Sequence, residues 1–329
     1  MNQKRWIALA IAVGLLVLST VAQITTTVAT TDFTEMFQTD SEYSEEVVEE
    51  GSLNESVAVI NVEGVIQSGV TGGVLSAGTY NHDQLLGMLD HVKESDQYKA
   101  LVLNVNTPGG GVVESAQIHD RIVEIREADK TVYVSMGNTA ASGGYYISAP
   151  ADKIFAHPAT LTGSIGVIME SINFAQLADD LGVEFNTITS GEYKDIMSSY
   201  RPMTEDEEEI LQTMVDDMYN DFVDVIVEGR DMDESTVREL GDGRVYTGSQ
   251  AAENGLVDSL GSLDDAIAQL KEDQDLQNAR VVELNANAGF SSFVNGAAAN
   301  LFGDQLRFAQ LEEMIRESNS PRAMYLYTE

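Results

Sequence analysis

Short, almost wholly apolar segments recur along this chain between stretches with helical spacing, and that alternation limits the folds open to it. Ser56-Val57-Ala58-Val59-Ile60-Asn61-Val62-Glu63-Gly64-Val65-Ile66 reads as a buried strand, β-branched and ended by polar residues. His82 to Ser95 then carries Leu85, Leu86, Leu89 and Val92 at helical spacing. Ala100 to Asn106 is a second buried strand. A helix through Val113, Ile118, Ile122 and Ile125 follows, and then a strand over Thr131–Met136. Strands alternating with amphipathic helices imply right-handed crossovers and a mostly parallel sheet. Near-continuous apolar strands fit a sheet covered on both faces. Further on, Leu177 to Leu181 reads as helix and Phe185 to Ile188 as strand. Glu205 to Glu228 reads as a long helix with Ile210, Met214, Met218, Phe222 and Val225 on one stripe. No boundary splits residues 56–285 into two folding units, so they are expected to form one α/β domain. From Ala286 to Glu329 the pattern weakens into a separate C-terminal segment.

The N-terminus reads differently. Lys4 and Arg5 precede an uncharged, apolar stretch over residues 6–24. About 20 such residues match a hydrocarbon core of ~30 Å, so a transmembrane anchor is expected. The alternative is a cleaved signal peptide, for which Thr20-Val21-Ala22 is a poor cleavage site. The basic residues place the short N-terminus (1–5) in the cytoplasm and the rest outside. Residues 25–55 are polar and acidic, with Glu45, Glu46, Glu49 and Glu50 close together, and read as a solvated tether.

Composition excludes several functions. There is no cysteine, hence no disulfide framework, thiol nucleophile or cysteine-held zinc. A net charge of −36, from 54 acidic and 18 basic residues, repels nucleic acid and anionic membrane surfaces. The acidic runs lack a calcium-loop pattern, so no metal is assigned. The Walker and dinucleotide-binding patterns are both missing, and no cofactor is expected.

Two turns fall where a parallel sheet gathers its ligands, at the carboxyl ends of strands. Asn106-Thr107-Pro108-Gly109-Gly110-Gly111 lies between a strand and a helix, where backbone N–H groups could stabilise an oxyanion or bind a phosphate. Thr139-Ala140-Ala141-Ser142-Gly143-Gly144-Tyr145-Tyr146 would expose the Ser142 hydroxyl beside the Gly143 N–H. That resembles a nucleophile elbow, although Gly-x-Ser-x-Gly itself is absent. The competing reading makes Ser142 a helix N-cap. Of the histidines, His82, His91, His119 and His157, none has an orienting acid in a tight motif. Lys194, in Gly191-Glu192-Tyr193-Lys194-Asp195, is either a solvated charge or a base. A lysine base must be neutral, which requires burial away from carboxylates. Glu192 and Asp195 are therefore expected to point away from it. Ser164, in Thr162-Gly163-Ser164-Ile165-Gly166, is a candidate to orient the amine.

Taken in order, Asn-Thr-Pro-Gly-Gly, Ala-Ser-Gly-Gly-Tyr-Tyr, Gly-Ser-Ile-Gly-Val, Gly-Glu-Tyr-Lys-Asp and Arg244-Val245-Tyr246-Thr247-Gly248-Ser249-Gln250-Ala251 resemble the signal peptide peptidase A family of serine–lysine peptidases. The likeness covers roughly residues 56–270. It implies a ClpP/crotonase-type fold with Ser142 as nucleophile, Lys194 as general base and Ser164 bonded to the lysine. Gly109 and Gly143 would supply oxyanion-hole N–H groups. It also implies a homo-oligomeric ring, an octamer, in which serine and lysine come from neighbouring subunits. The substrates would be remnant signal peptides at the outer face of the cytoplasmic membrane. Thr107 stands where the family often has serine. In relatives the C-terminal peptide can lie in a neighbour's groove, and Met324, Tyr325, Leu326 and Tyr327 form a mostly apolar tail suited to that. Two rivals remain: an acyl-CoA-handling crotonase-type enzyme and an inactive ring-forming membrane scaffold.

Overall fold

The computed structural model describes residues 5, 43–68, 80–286 and 323–327. The anchor expected over residues 6–24 lies outside them. Side chains that alternate along a strand feed two separate cores. In β2 (Ser52–Glu63) and β3 (Tyr98–Thr107), Val57, Val59, Ala100 and Val102 face one way. They pack with Tyr133 and Phe155 under Ala266, Ile267 and Leu270 of a late helix, α8 (Leu263–Asp273). Their neighbours Ala58, Ile60, Val62, Leu101, Leu103 and Val105 face the other way. There they meet α1 (His82–Glu94), α2 (Val112–Glu127) and the second half of α5 (Glu205–Arg230). The sheet is covered on both faces, as the apolar runs require. Each fully buried aliphatic side chain contributes ~1.5–3 kcal/mol, which is how a domain without disulfides is held.

The strand order is β1-β11-β2-β3-β5-β6-β10, with β1 over Tyr43–Glu49, β5 over Thr131–Ala141, β6 over Lys153–Ala156, β10 over Ser259–Leu260 and β11 over Ala279–Ala286. All of these pairs are parallel except β1 with β11. β5 changes partner along its length: Tyr133–Met136 pair with β6, and Thr139–Ala141 with β7 (Leu161–Gly163). β7 then pairs antiparallel with β9 (Val245–Thr247). A register shift in β3 before Thr107 accompanies this divergence. Asn106 bridges it, its Oδ1 accepting the Thr139 N–H at 3.2 Å. The end of β5 is thereby steered out of the sheet, and short α3 (Gly143–Ser148) starts there.

Three local expectations change. The acidic stretch assigned to the tether is in part a strand, because β1 adds to β11 and its carboxylates find partners inside the domain. Glu45 accepts from Tyr98 Oη at 2.6 Å and from Arg280 at 2.6 Å, and Glu49 pairs with Lys271. Phe185–Ile188 is irregular rather than strand, and Ile188 is 98% exposed. A β-branched run forms a strand only where a neighbour accepts its hydrogen bonds, and no strand pairs with it among the described residues. Helix α5 is capped as a Thr204–Glu207 capping box, but its apolar stripe is buried only in its second half: Phe222 is buried, Ile210 and Met214 are exposed.

Helix propensity and packing disagree at Gly229 in α5, giving a test. Alanine is the better helix former by ~1 kcal/mol, yet a Cβ there would lie 2.4 Å from the Ala149 carbonyl oxygen. Gly229→Ala is expected to lower the urea midpoint, by about 1–3 kcal/mol of overpacking. A raised midpoint would show that the α3–α5 contact yields more easily than this packing allows.

Candidate active site

Ser142 follows the last residue of β5 and adopts φ 53°, ψ −115°. A left-handed serine costs about 1–3 kcal/mol and persists only where its surroundings over-determine it. Here its N–H donates to the Gly163 carbonyl at 2.7 Å, and its own carbonyl accepts from Tyr145 and Tyr146 at 2.9 Å each. Ser142 occupies the N-cap position of α3, but its side chain makes no capping bond there, so Oγ is left for other work. Glycine follows for steric reasons. A Cβ on Gly143 would lie 2.7 Å from Ser115 Oγ and 3.1 Å from Gly110 N; one on Gly144 would lie 2.8 Å from Thr107 Cγ2.

The glycine turn after β3 becomes a second wall. Thr107 Oγ1 donates to the Gly64 carbonyl and accepts the Gly109 N–H at 3.0 Å, latching the turn. The Gly109 N–H expected in the oxyanion hole is thus already engaged in this arrangement. The amide beside Gly143 is that of Gly110. Gly109 adopts φ +103°, which glycine alone accepts without strain. β4 (Gly109–Gly111) pairs antiparallel with β12 (Ala323–Leu326), which also pairs with β8 (Ile168–Met169). The C-terminal strand therefore lies between the two walls. A Cβ on Gly109 would be 2.1 Å from the Tyr325 carbonyl oxygen and 2.7 Å from the Gly143 nitrogen, so that carbonyl lies over the Ser142 turn. The Tyr325 ring is fully buried, stacked on Tyr146 (centroids 4.9 Å) and against Phe222 (4.7 Å), with its hydroxyl donating to the Met218 carbonyl at 2.9 Å.

Lys194 is not brought to Ser142 within one chain. Ser142 is 1% exposed, whereas Lys194 is exposed on an irregular loop. No hydrogen bond joins them among the described residues. The carboxylate of Asp195 is turned to Arg201, which holds it bidentately at 2.8 and 2.9 Å. Those bonds keep the Asp195 carboxyl below the usual range. Arg201 also grips Glu207, and its bonds hold that carboxyl down at about 2. Ser164, at φ 50°, donates its N–H to the Arg244 carbonyl at 2.8 Å. It immediately follows Gly163, whose carbonyl holds the Ser142 amide, so Ser164 and Ser142 share one backbone junction.

A strained serine at the end of a parallel strand, beside a glycine turn, is the kind of arrangement that enzymes of nucleophilic acyl transfer use. Comparison with known proteins narrows the class. The description Peptidase family S49 matches residues 124–277. A protein of Enterococcus faecium named signal peptide peptidase SppA is 40% identical over 341 residues, covering 99% of each chain. Protease 4 of Haemophilus influenzae is 33% identical over 225 residues, which are 68% of this chain and 36% of its own length. The chloroplastic serine protease SPPA of Arabidopsis thaliana is 31% identical over 255 residues, 76% of this chain and 37% of its own. Among solved structures, a ClpP1 mutant from Listeria monocytogenes is similar at a TM-score of 0.41 and 18% identity, covering 64% of this chain and 94% of that one. The chain belongs to the signal peptide peptidase A family, within the S49 serine peptidases.

Three features of the site escaped the sequence. The Thr107 latch had a signal, a hydroxyl two residues before a glycine, but such turns are common. The Arg201 grip reaches only six residues to either side but depends on how an irregular loop folds, and the ring pocket of Tyr146, Phe222 and Tyr325 joins residues far apart in sequence. Gly109→Ala gives a check on the turn. Its Cβ would collide with both the groove and the Gly143 amide, so peptide cleavage is expected to fall about 10²–10³-fold while far-ultraviolet circular dichroism stays native. Near-normal cleavage would remove the turn from the site.

Proposed function

We propose that this chain is a membrane-anchored serine endopeptidase of ClpP/crotonase type, with Ser142 as nucleophile and Lys194 as general base. Its substrates are remnant signal peptides and other apolar peptides at the outer face of the cytoplasmic membrane. The observation that carries the reading is Ser142 itself: strained, with no side-chain capping bond, and followed by Gly143, which packs against Gly109 and Gly110. In the acylation step Ser142 Oγ attacks the peptide carbonyl and its proton passes to Lys194 Nζ. The Gly143 N–H, with an N–H from the Gly109–Gly110 turn, stabilises the oxyanion, an effect of ~3–4 kcal/mol per donor. The lysine then gives the proton to the departing amine, leaving an ester on Ser142 that water hydrolyses by the same route.

The dyad is completed between copies. Lys194 is exposed in a segment that also exposes Ile172, Phe174, Leu177, Leu181, Phe185 and Ile188, an apolar surface that a second copy would cover. Covering the loop removes the water that favours a charged amine, as a lysine base requires. A closed ring, an octamer in the reading from sequence, satisfies every copy. Ser164 is the candidate to bond the incoming amine. The pairing of β12 with β4 and β8 supports an extended peptide binding between these strands, with the C-terminal tail as one occupant.

Mixing two inactive variants tests the shared site. Ser142→Ala and Lys194→Ala should each abolish cleavage of an apolar fluorogenic peptide while assembling normally. Dissociated and reassembled together, they should recover a fraction of wild-type activity, because some interfaces then hold both intact residues. No recovery in well-formed mixed particles would confine the dyad to one chain. Near-normal activity of Lys194→Ala alone would discard the lysine base. Separately, deletion of residues 318–329 should raise cleavage at low substrate concentration; unchanged cleavage and unchanged inhibition would remove the tail from the groove.

A further inference from the structure

Asp195 is next in sequence to Lys194, and a carboxylate beside an ammonium holds it charged. The loop answers this through a single side chain. Arg201 Nε donates to Asp195 Oδ2 at 2.9 Å and Nη2 to Oδ1 at 2.8 Å, a two-pronged pairing that also reaches the Asp195 carbonyl at 3.3 Å. The other edge of the same guanidinium donates to Glu207, with Nη1 to Oε2 at 2.8 Å and Nη2 to Oε1. Glu207 is itself immobile: its side chain is 2% exposed, and it closes the capping box of α5 by accepting the Thr204 N–H at 3.0 Å. The loop is thus tied to the first turn of a 26-residue helix through one planar cation.

We propose that Arg201 is the positioning residue for Lys194: by joining Asp195 to Glu207 it fixes the lysine-bearing loop and keeps the Asp195 carboxylate away from the amine. This rests on Lys194 being the general base. The charged groups that act on Tyr193, the residue before Lys194, are Glu192 beside it and Asp206 and Glu207 on α5. Glu207 shares Arg201 with Asp195, so the cation is committed on both sides. Loss of Arg201 would release Asp195 next to Lys194 and leave Glu192 and Asp206 unchanged. A role limited to stability would lower the amount of active enzyme without moving its pH dependence.

The test measures kcat/KM against pH on the assembled full-length enzyme for wild type, Arg201→Gln, Asp195→Asn, the double variant and Lys194→Ala. Arg201→Gln is expected to move the acid limb upward by about one pH unit or more. On that limb this means about a tenfold loss of kcat/KM, recovered in alkali. The double variant is expected to return the limb to its wild-type position, since the Asp195 carboxylate is gone and Glu207 stays held by the Thr204 N–H in the capping box, while kcat stays below wild type because the loop is loose. Asp195→Asn alone should lower kcat without raising the limb, and it carries the test if Arg201→Gln fails to assemble. An unmoved limb in Arg201→Gln, a limb in the double variant as displaced as in the single, or an unchanged kcat in Asp195→Asn would overturn the proposal. Lys194→Ala separates the two failures: if it is inactive and Arg201→Gln behaves as wild type, only the positioning role falls. If Lys194→Ala is active, the base assignment falls with it.

Discussion

A left-handed serine at the end of a parallel strand is the constraint around which this structure is organised. The conformation is unfavourable by itself, and each neighbouring element removes one way of relaxing it. Gly163 on β7 accepts the Ser142 N–H, and the first turn of α3 donates to its carbonyl. The glycines that follow leave no room for a tilt toward Thr107 or Ser115. β7 can do this only because β5 leaves β6 midway and changes partner, so the sheet's divergence and the placing of Ser142 are one feature. The strain is carried by the two-sided core beneath it.

The two groups proposed for catalysis are treated in opposite ways. Ser142 is locked by backbone bonds inside one chain. Lys194 is held out on a loop whose rigidity comes from ion pairs and whose surroundings are apolar and exposed. A serine needs only a fixed direction, whereas a lysine base needs a dry environment as well. An isolated chain with this surface does not provide one. On the proposed mechanism, dependence on a neighbour follows from the desolvation requirement.

The parallel sheet, its cover on both faces and the first two helices were legible because apolar periodicity reports burial directly. The Ser142 and glycine motifs were legible as turns, since a chain puts consecutive glycines where a Cβ would collide. Phe185–Ile188 misled for the complementary reason: its residue types suit a strand, but strand formation depends on a partner that composition does not encode. The acidic stretch before β2 misled through charge, because Arg280 and Lys271, more than two hundred residues away, neutralise it.

By itself the sequence determined much of what is local: the buried strands and first helices of the sheet, and where the backbone must turn tightly. The tertiary structure alone decided what depends on meetings between distant residues. Ser142 is uncapped because Gly163 and α3 fix its backbone first. Tyr325 stacks on Tyr146 and Phe222 because β12 pairs with β4 and β8. Glu45 and Glu49 meet Arg280 and Lys271 because β1 adds to β11. Local conformation is set by sterics and hydrogen bonds within a few residues, which sequence spacing records. A contact across the chain is set by the packing of whole elements, and spacing does not record that.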